Sequence, residues 1–403
     1  MAWTHGSLEY MAGFEAGDRI AYLPTLVGTD RSSIVTTPVL SGNRCLRWNK
    51  TAAVDQADMI YQTFTSRQAL AMAFRFRLAT GPTPGNWMAF FSHWAFVGGS
   101  GLGVENVGGN QKLIIFDDTV GGTWRSSTTL ALNTTYIICP IFWNPSTGAN
   151  QYWNCQIELR DNSGALLESS MILRTDLSLA SPSINTIAFG TAAGNIQLCD
   201  YYIDDVMVVS GGVKAPPNPQ IVPVVPTGNS ATDNAWTAGT GGNKWDEVDE
   251  IPADDDTTYI KSTATSQAQS FTHAAVSDPG SSGNVLAVAV YGRFRNTSGT
   301  LVVAPRIRDG ANTCQGVSII PTTSYSYTKG LWVRRPSSGC GQVGGDAGNG
   351  WMSGAVLDGL EFGVIRTIGT SVDVRCTQSI MEVAWGAVRT DDWARQRNFI
   401  YTP

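Results

Sequence analysis

Cleaving a glycosidic bond takes two carboxylates held roughly 5–9.5 Å apart. One strand supplies such a pair only at positions of equal parity, because successive side chains point to opposite faces. The acidic groupings here do not meet that demand: Glu247-Val-Asp-Glu250 departs from a Glu-x-Asp-x-x-Glu spacing, and Asp204-Asp205 are neighbours. Asp254-Asp-Asp256 offers the clustered oxygens calcium favours, but it lacks the Asp-x-Asp-x-Asp-Gly loop and reads as a solvated turn after Pro252. The chain has three histidines, His5, His93 and His273, and no Gly-x-Ser-x-Gly turn to present a nucleophile. His93 reads as a structural or surface residue. The seven cysteines (45, 139, 155, 199, 314, 340 and 376) form no CxxC pair, so a structural zinc site is not expected. Most of them read as small buried side chains, with a disulfide left open. These residues predict no catalytic group, no metal and no cofactor.

Aromatic side chains are the remaining carriers of chemistry, because the apolar face of a sugar ring packs on an aromatic plane. Trp87, Trp94, Trp124 and Trp143 fall in the first half of the chain, and Trp87 and Trp94 flank a Gly/Pro-rich bend. Trp87, Trp94 and Trp124 are the glycan-binding candidates, against the competing reading that sandwich tryptophans are core. Arg306, Arg308, Arg334 and Arg335 sit beside turns in the second half. They read as water-facing in preference to meeting acids across a subunit interface.

The elements that must position these residues are strands. Of the 403 residues, 15% are charged and 43 are Gly, and 3.6-period runs of helix formers are almost absent. The length allows two cores, since single cores stop growing at about 250–300 residues. A net charge of −6 with no Lys/Arg block argues against a nucleic-acid partner. No apolar run approaches the ~20 residues of a membrane span. The first residues, Met1-Ala-Trp-Thr-His-Gly-Ser7, have no signal-peptide pattern, so folding in a cytoplasm is expected.

Period-2 segments recur throughout. In Ala69-Leu-Ala-Met-Ala-Phe-Arg-Phe-Arg-Leu78, Phe74 and Phe76 point one way while Arg75 and Arg77 point to water. The run Tyr201-Tyr-Ile-Asp-Asp-Val206 reads as a closing strand, half buried and half wet. Gly211-Gly212 and then five prolines between Lys214 and Gly228 mark a stiff linker. The expected organisation is all-β: two β-sandwich (jelly-roll) domains, 1–213 and 229–403, joined by a Pro-rich linker, 214–228.

Three segments of the first half, Gly13-Phe14-Glu15, Leu130-Ala-Leu-Asn-Thr-Thr-Tyr-Ile-Ile138 and Ile187-Ala-Phe-Gly190 ahead of Tyr201–Val206, resemble the concanavalin-like, laminin-G-type jelly roll. That family includes lectins, glycosidases and structural modules, and some members bind calcium, a role the resemblance would give to Asp204-Asp205. In the second half, Asp255-Asp-Thr-Thr-Tyr-Ile260, Gly359-Leu-Glu-Phe-Gly363 and Met381-Glu-Val383 resemble a β-sandwich of tailed-bacteriophage virion proteins. The long Gly339–Gly350 stretch departs from that pattern. The resemblance implies a non-enzymatic virion protein attached to capsid or tail as a homo-oligomer, in contact with other virion proteins. Host surface polysaccharide would be a further partner. The alternatives are a carbohydrate-binding receptor-recognition protein and a glycan depolymerase.

Overall fold

The computed structural model describes residues 8–52, 58–67, 69–92, 100–117, 121–143, 154–172, 184–191, 197–210, 214–279, 284–332, 357–369 and 373–386. Trp94, His5, His93, Arg334, Arg335 and the Gly339–Gly350 stretch lie outside the described residues.

Among the described residues the strands form four sheets, antiparallel throughout, and two compact units. One unit is built from His5–Phe14 and Tyr22–Pro219, the other from Glu15–Ala21 and Gln220–Val388. In the first, an eight-stranded sheet runs Leu166–Ile172, Asn154–Asp161, Thr135–Trp143, Ala69–Thr80, Cys199–Ser210, Cys45–Lys50, Ser32–Val35, with Leu8–Ala12 paired to Cys199–Ser210. A seven-stranded sheet runs Gly121–Leu130, Asn110–Asp117, Ser100–Val107, Trp87–Ser92, Ile184–Thr191, Asp58–Arg67, Thr25–Val27. The inner faces meet through aromatic pairs: Phe76 stacks on Phe90 at 4.4 Å, Phe74 meets Phe189 at 5.8 Å, and Phe91 meets Phe142 at 5.9 Å. Alternation of bulky apolar residues thus yields one core between two sheets.

Arg75 was expected in water and is buried, with 2% of its side chain exposed. The closing strand Cys199–Ser210 is likewise buried along nearly its whole length, because it lies centrally and its second face is covered. The register slips between Asp204 and Met207, and Asp205 adopts φ +51°, a bulge that re-aims both carboxylates. Asp205 accepts Arg75 Nε at 2.8 Å, while Asp204 accepts the Ser41 amide at 3.0 Å. The other guanidinium nitrogens of Arg75 donate to Asn162 and Asn218. Asp204 and Asp205 thus each accept from a group of the same unit, Asp205 within an ion pair.

The second unit pairs a six-stranded sheet with a five-stranded one. The first runs Thr237–Ala238, Ile260–Ser262, Val374–Trp385, Val285–Asn296, Ser326–Trp332, with Gln220–Val224 on Val374–Trp385. The second runs Gly228–Asn234, Ala268–Thr272, Leu360–Ile368, Val302–Asp309, Asn312–Gln315. Val288, Val290, Ile307, Phe362, Met381 and Trp385 fill the space between them. Part of the run read as linker is strand: Gln220–Val224 pairs residue for residue with Trp385 to Met381. Pro223 is tolerated because an edge strand need not donate from every amide. Lys214 is also fixed, its ammonium 3.0 Å from Glu158.

Five cysteines (45, 139, 155, 199 and 376) are free and buried, whereas Cys314 is disulfide-bonded. Burial pushes the Cys199 and Cys376 thiols up to about 12.

Candidate functional site

The site is best built outward from Trp87, which opens the strand Trp87–Ser92. Met88 and Phe90 point into the core. The register slips between Ala89 and Phe91, so Phe91 turns inward as well, as a bulge permits. Trp87, Ala89 and Ser92 are left on the outer face of the seven-stranded sheet. Directly opposed residues of an antiparallel ladder share a face, and the ladder carries this one across three further strands. Trp87 opposes Glu105, which opposes Lys112; Ala89 opposes Gly103, then Ile114, then Arg125; Ser92 opposes Gly101, then Phe116.

Gly101 and Gly103 determine the shape of this face. A Cβ on Gly101 would lie 2.8 Å from the Phe116 ring, and one on Gly103 would lie 3.2 Å from Ile114. With bare backbone beneath them, those side chains lie down on the sheet. Ala89, Ile114 and Phe116 form a small buried cluster separate from the main core. The Trp87 ring packs on Phe116 with centroids 5.2 Å apart, yet 37% of the residue remains exposed. The indole thus packs against an apolar bed while part of the residue remains exposed.

The turn before Trp87 is fixed by hydrogen bonds. Gly85, at φ +82° with open space around it, donates its amide to Asn106 O at 2.8 Å, and Asn106 returns a bond to Asn86 O at 2.9 Å. Asn86 Nδ2 donates to Thr83 Oγ1, which donates to Gln197 Oε1, each at 3.0 Å. Asn106 Nδ2 donates to Pro82 O at 2.8 Å. A backbone held this way loses little freedom when a ligand binds.

Beside Trp87 lies a charged fork. Arg125 donates Nε to Glu105 Oε2 at 2.7 Å and Nη2 to Oε1 at 2.5 Å, and Lys112 Nζ donates to Ser127 O. Glu105 is the sole carboxylate among the described residues of this face, and a guanidinium occupies both its oxygens. The pair of carboxylates that glycoside hydrolysis uses is not assembled among them.

Of the three tryptophans singled out by sequence, Trp87 and Trp124 lie on opposite faces, since Trp124 opposes the inward Ile115. Trp94 lies outside the described residues, and Trp143 is buried. Sequence reading missed Phe116. Its signal was the parity of Lys112, Ile114 and Phe116 on one strand, which cannot be joined to Trp87 before the register is known.

The charged groups of the second unit bind one another. Arg293 holds Asp255 at 2.6 Å and Asp18 at 2.9 Å, and Asp256 bridges Arg295 at 2.7 Å and Arg375 at 2.8 Å. Arg293 also lies over the Tyr327 ring at 4.9 Å, and burial raises the phenol pKa of Tyr325 and Tyr327. The Asp254–Asp256 turn is therefore ion-paired and not merely solvated. Arg306 and Arg308, expected in water, instead reach Asp233 at 3.1 Å and Glu361 at 2.8 Å across the five-stranded sheet. His273 donates from Nδ1 to the Ala274 carbonyl oxygen, 2.7 Å away. Among the described residues no group of three or more His, Cys, Asp or Glu could hold a metal ion.

No protein-family model matches the chain, and no curated protein matches it. Solved structures that are similar include the cellulose-induced protein Cip1, at 12% identity and TM-score 0.34, covering 50% of this chain and 96% of that one. The alginate lyase vAL-1 from Chlorella virus is similar at 11% identity and TM-score 0.32, over 45% and 89% of the two chains. Botulinum neurotoxin type C, whose cell entry depends on interaction with two ganglioside molecules, is similar at 10% identity and TM-score 0.32, over 51% of this chain and 47% of that one. Likeness at this depth carries no argument about what this chain does.

Proposed function

We propose that this protein is a non-catalytic surface component of a tailed-bacteriophage particle, and that its first sandwich adsorbs to host polysaccharide through the Trp87 face. In this reading it assembles as a symmetric homo-oligomer among other virion proteins, after folding in the host cytoplasm. The observation that carries the adsorption reading is Trp87 itself: an indole packed against Phe116 beside a hydrogen-bonded turn, with 37% of the residue exposed. The virion reading rests on the sequence pattern of the second half. The engagement of both Glu105 oxygens by Arg125 favours binding over hydrolysis.

Two measurements test this. Trp87→Ala should weaken binding of the purified protein to host surface polysaccharide at least tenfold, about 1.4 kcal/mol or more, while the protein stays folded at the assay temperature. Binding equal to that of the wild type would sink the adsorption reading, and release of new reducing ends from the polysaccharide would make the protein an enzyme. Mass spectrometry of purified particles should find the chain at a stoichiometry set by the particle symmetry; its absence would remove the virion assignment.

A further inference from the structure

We infer that the strand Leu166–Ile172, at one edge of the eight-stranded sheet, pairs antiparallel with the same strand of a second copy of this chain, about a two-fold axis at Ser169. This rests on the homo-oligomer part of the reading above and names its surface; it depends on neither the glycan nor the particle.

An edge strand presents a row of backbone amides and carbonyls, and proteins blunt such edges with short strands, prolines, charges, bulges or a covering segment. Most sheet ends here are blunted in one of these ways. Thr25–Val27, Ser32–Val35, Thr237–Ala238 and Asn312–Gln315 are short, and Gln220–Val224 carries Pro223. Gly121–Leu130 and Gly228–Asn234 slip register. Ser326–Trp332 is covered in part, where the Val317 amide donates to Lys329 O at 3.0 Å. Leu166–Ile172 differs: it has seven residues, no proline and no cation. Among the described residues no strand pairs beyond it, and its register slips only at the Leu166 end. Met171 opposes Gln156, on the outer face of the sheet, one position from the inward pair Cys155 and Phe142. On that face Leu167 and Met171 are each 45% exposed. The strand's one charge, Glu168, already accepts the Ser127 and Thr128 amides at 2.9 and 2.8 Å.

The occupant that fits this edge is a second copy of it. In a two-fold antiparallel pair the position of the axis fixes which residues face each other. With the axis at Ser169, Leu167 of each copy faces Met171 of the other, Ser169 faces Ser169, and Glu168 faces Ser170. Two apolar contacts form at once on the outer face, and no charge meets its like. With the axis at Glu168 the two carboxylates would oppose each other, which destabilises a cross-strand pair. A strongly charged foreign strand would find no free opposite charge here. The two eight-stranded sheets thereby continue into one another across the axis.

The test is sedimentation velocity of the full chain from nanomolar to high micromolar concentration. Seven residues at roughly 3.4 Å each make a seam shorter than a tight interface needs, so a reversible dimer in the micromolar range is expected. Ser169 is exposed, so Ser169→Lys and Ser169→Glu should keep the wild-type circular dichroism. Each sets like charges across the axis and should weaken the dimer at least tenfold, and mixing the two variants should restore it. The double variant Leu167→Glu with Met171→Lys sets opposite charges across both outer contacts. It should still dimerise, with an affinity that now falls as salt is raised. An oligomer that survives Ser169→Lys overturns the inference and leaves the homo-oligomer reading standing on another surface. Dimerisation lost in both single variants and not regained on mixing overturns the register and the inference with it. A monomer at every concentration removes the inference and the homo-oligomer reading together.

Discussion

The guanidinium of Arg75 sits in a buried ring of partners contributed by Asp205, Asn162 and Asn218. Buried ion pairs add little net stability over apolar isosteres, but removing one partner strands a charge and costs about 3–5 kcal/mol. Asp205→Ala should therefore destabilise the first sandwich by that order in urea unfolding, and Arg75→Met combined with Asp205→Leu should recover part of the loss. If the single variant unfolds like the wild type, the ring contributes nothing. Alternation told correctly that Arg75 and Phe76 point apart. What the sequence hid was the cover, because Asn162 and Asn218 lie far along the chain and meet Arg75 only through the fold. The thiols make a second residue-scale case. The thiolate is the reactive form, and burial holds Cys199 and Cys376 up to about 12, so both should resist alkylation at pH 8 in the folded protein and react after denaturation. Labelling of either in the native state, read by peptide mass, would contradict their burial.

Strands and turns carry the next set of consequences. In the six-stranded sheet, Lys329 faces Glu382, which accepts the Glu15 amide at 3.1 Å. Burial of the ammonium pushes the lysine down to about 8 from its ordinary 10.5, the nearby carboxylate offsetting only part of that. The sign of the linkage follows from proton binding. Below pH 8 the lysine is charged in both states and the folded state bears the full desolvation cost. Between about 8 and 10.5 the unfolded chain binds more protons, so stability rises with pH, by at most about 1.4 kcal/mol per unit. The difference in unfolding free energy between wild type and Lys329→Met should therefore move in the wild type's favour from pH 7.5 to pH 10. A pH-independent difference would show that this lysine titrates normally. Element type was the most legible part of the sequence, since the period-2 run Ala69–Leu78 lies within the strand Ala69–Thr80. Register was not legible. The slips at Ala89/Phe91 and Asp204/Met207 decide which side chains share a face, and they depend on the partner strand. For that reason the sequence singles out Trp87 but not the Phe116 it packs on.

At the scale of the molecule, the chain does not hand its residues to the two units in sequence order. Glu15–Ala21 belongs to the unit of Gln220–Val388, although it lies between segments of the other. It is held there by specific bonds: the Glu15 amide to Glu382, Gln378 Nε2 to Ala16 O at 3.2 Å, and Arg293 Nη1 to Asp18 Oδ2 at 2.9 Å. Gly17 sits in the middle at φ +76°, where a Cβ would come within 3.0 Å of the Pro252 backbone. Both the left-handed backbone and that contact exclude a branched side chain, together costing on the order of 2–4 kcal/mol. Gly17→Val should therefore weaken a sandwich that begins some two hundred residues later in sequence. Hydrogen exchange should quicken in the strands Val374–Trp385 and Val285–Asn296, which this segment covers, while Ala69–Thr80 keeps its protection and the Trp87 face keeps its glycan affinity. Protection lost in Ala69–Thr80, with Val374–Trp385 unchanged, would place the segment in the unit that its sequence position suggests.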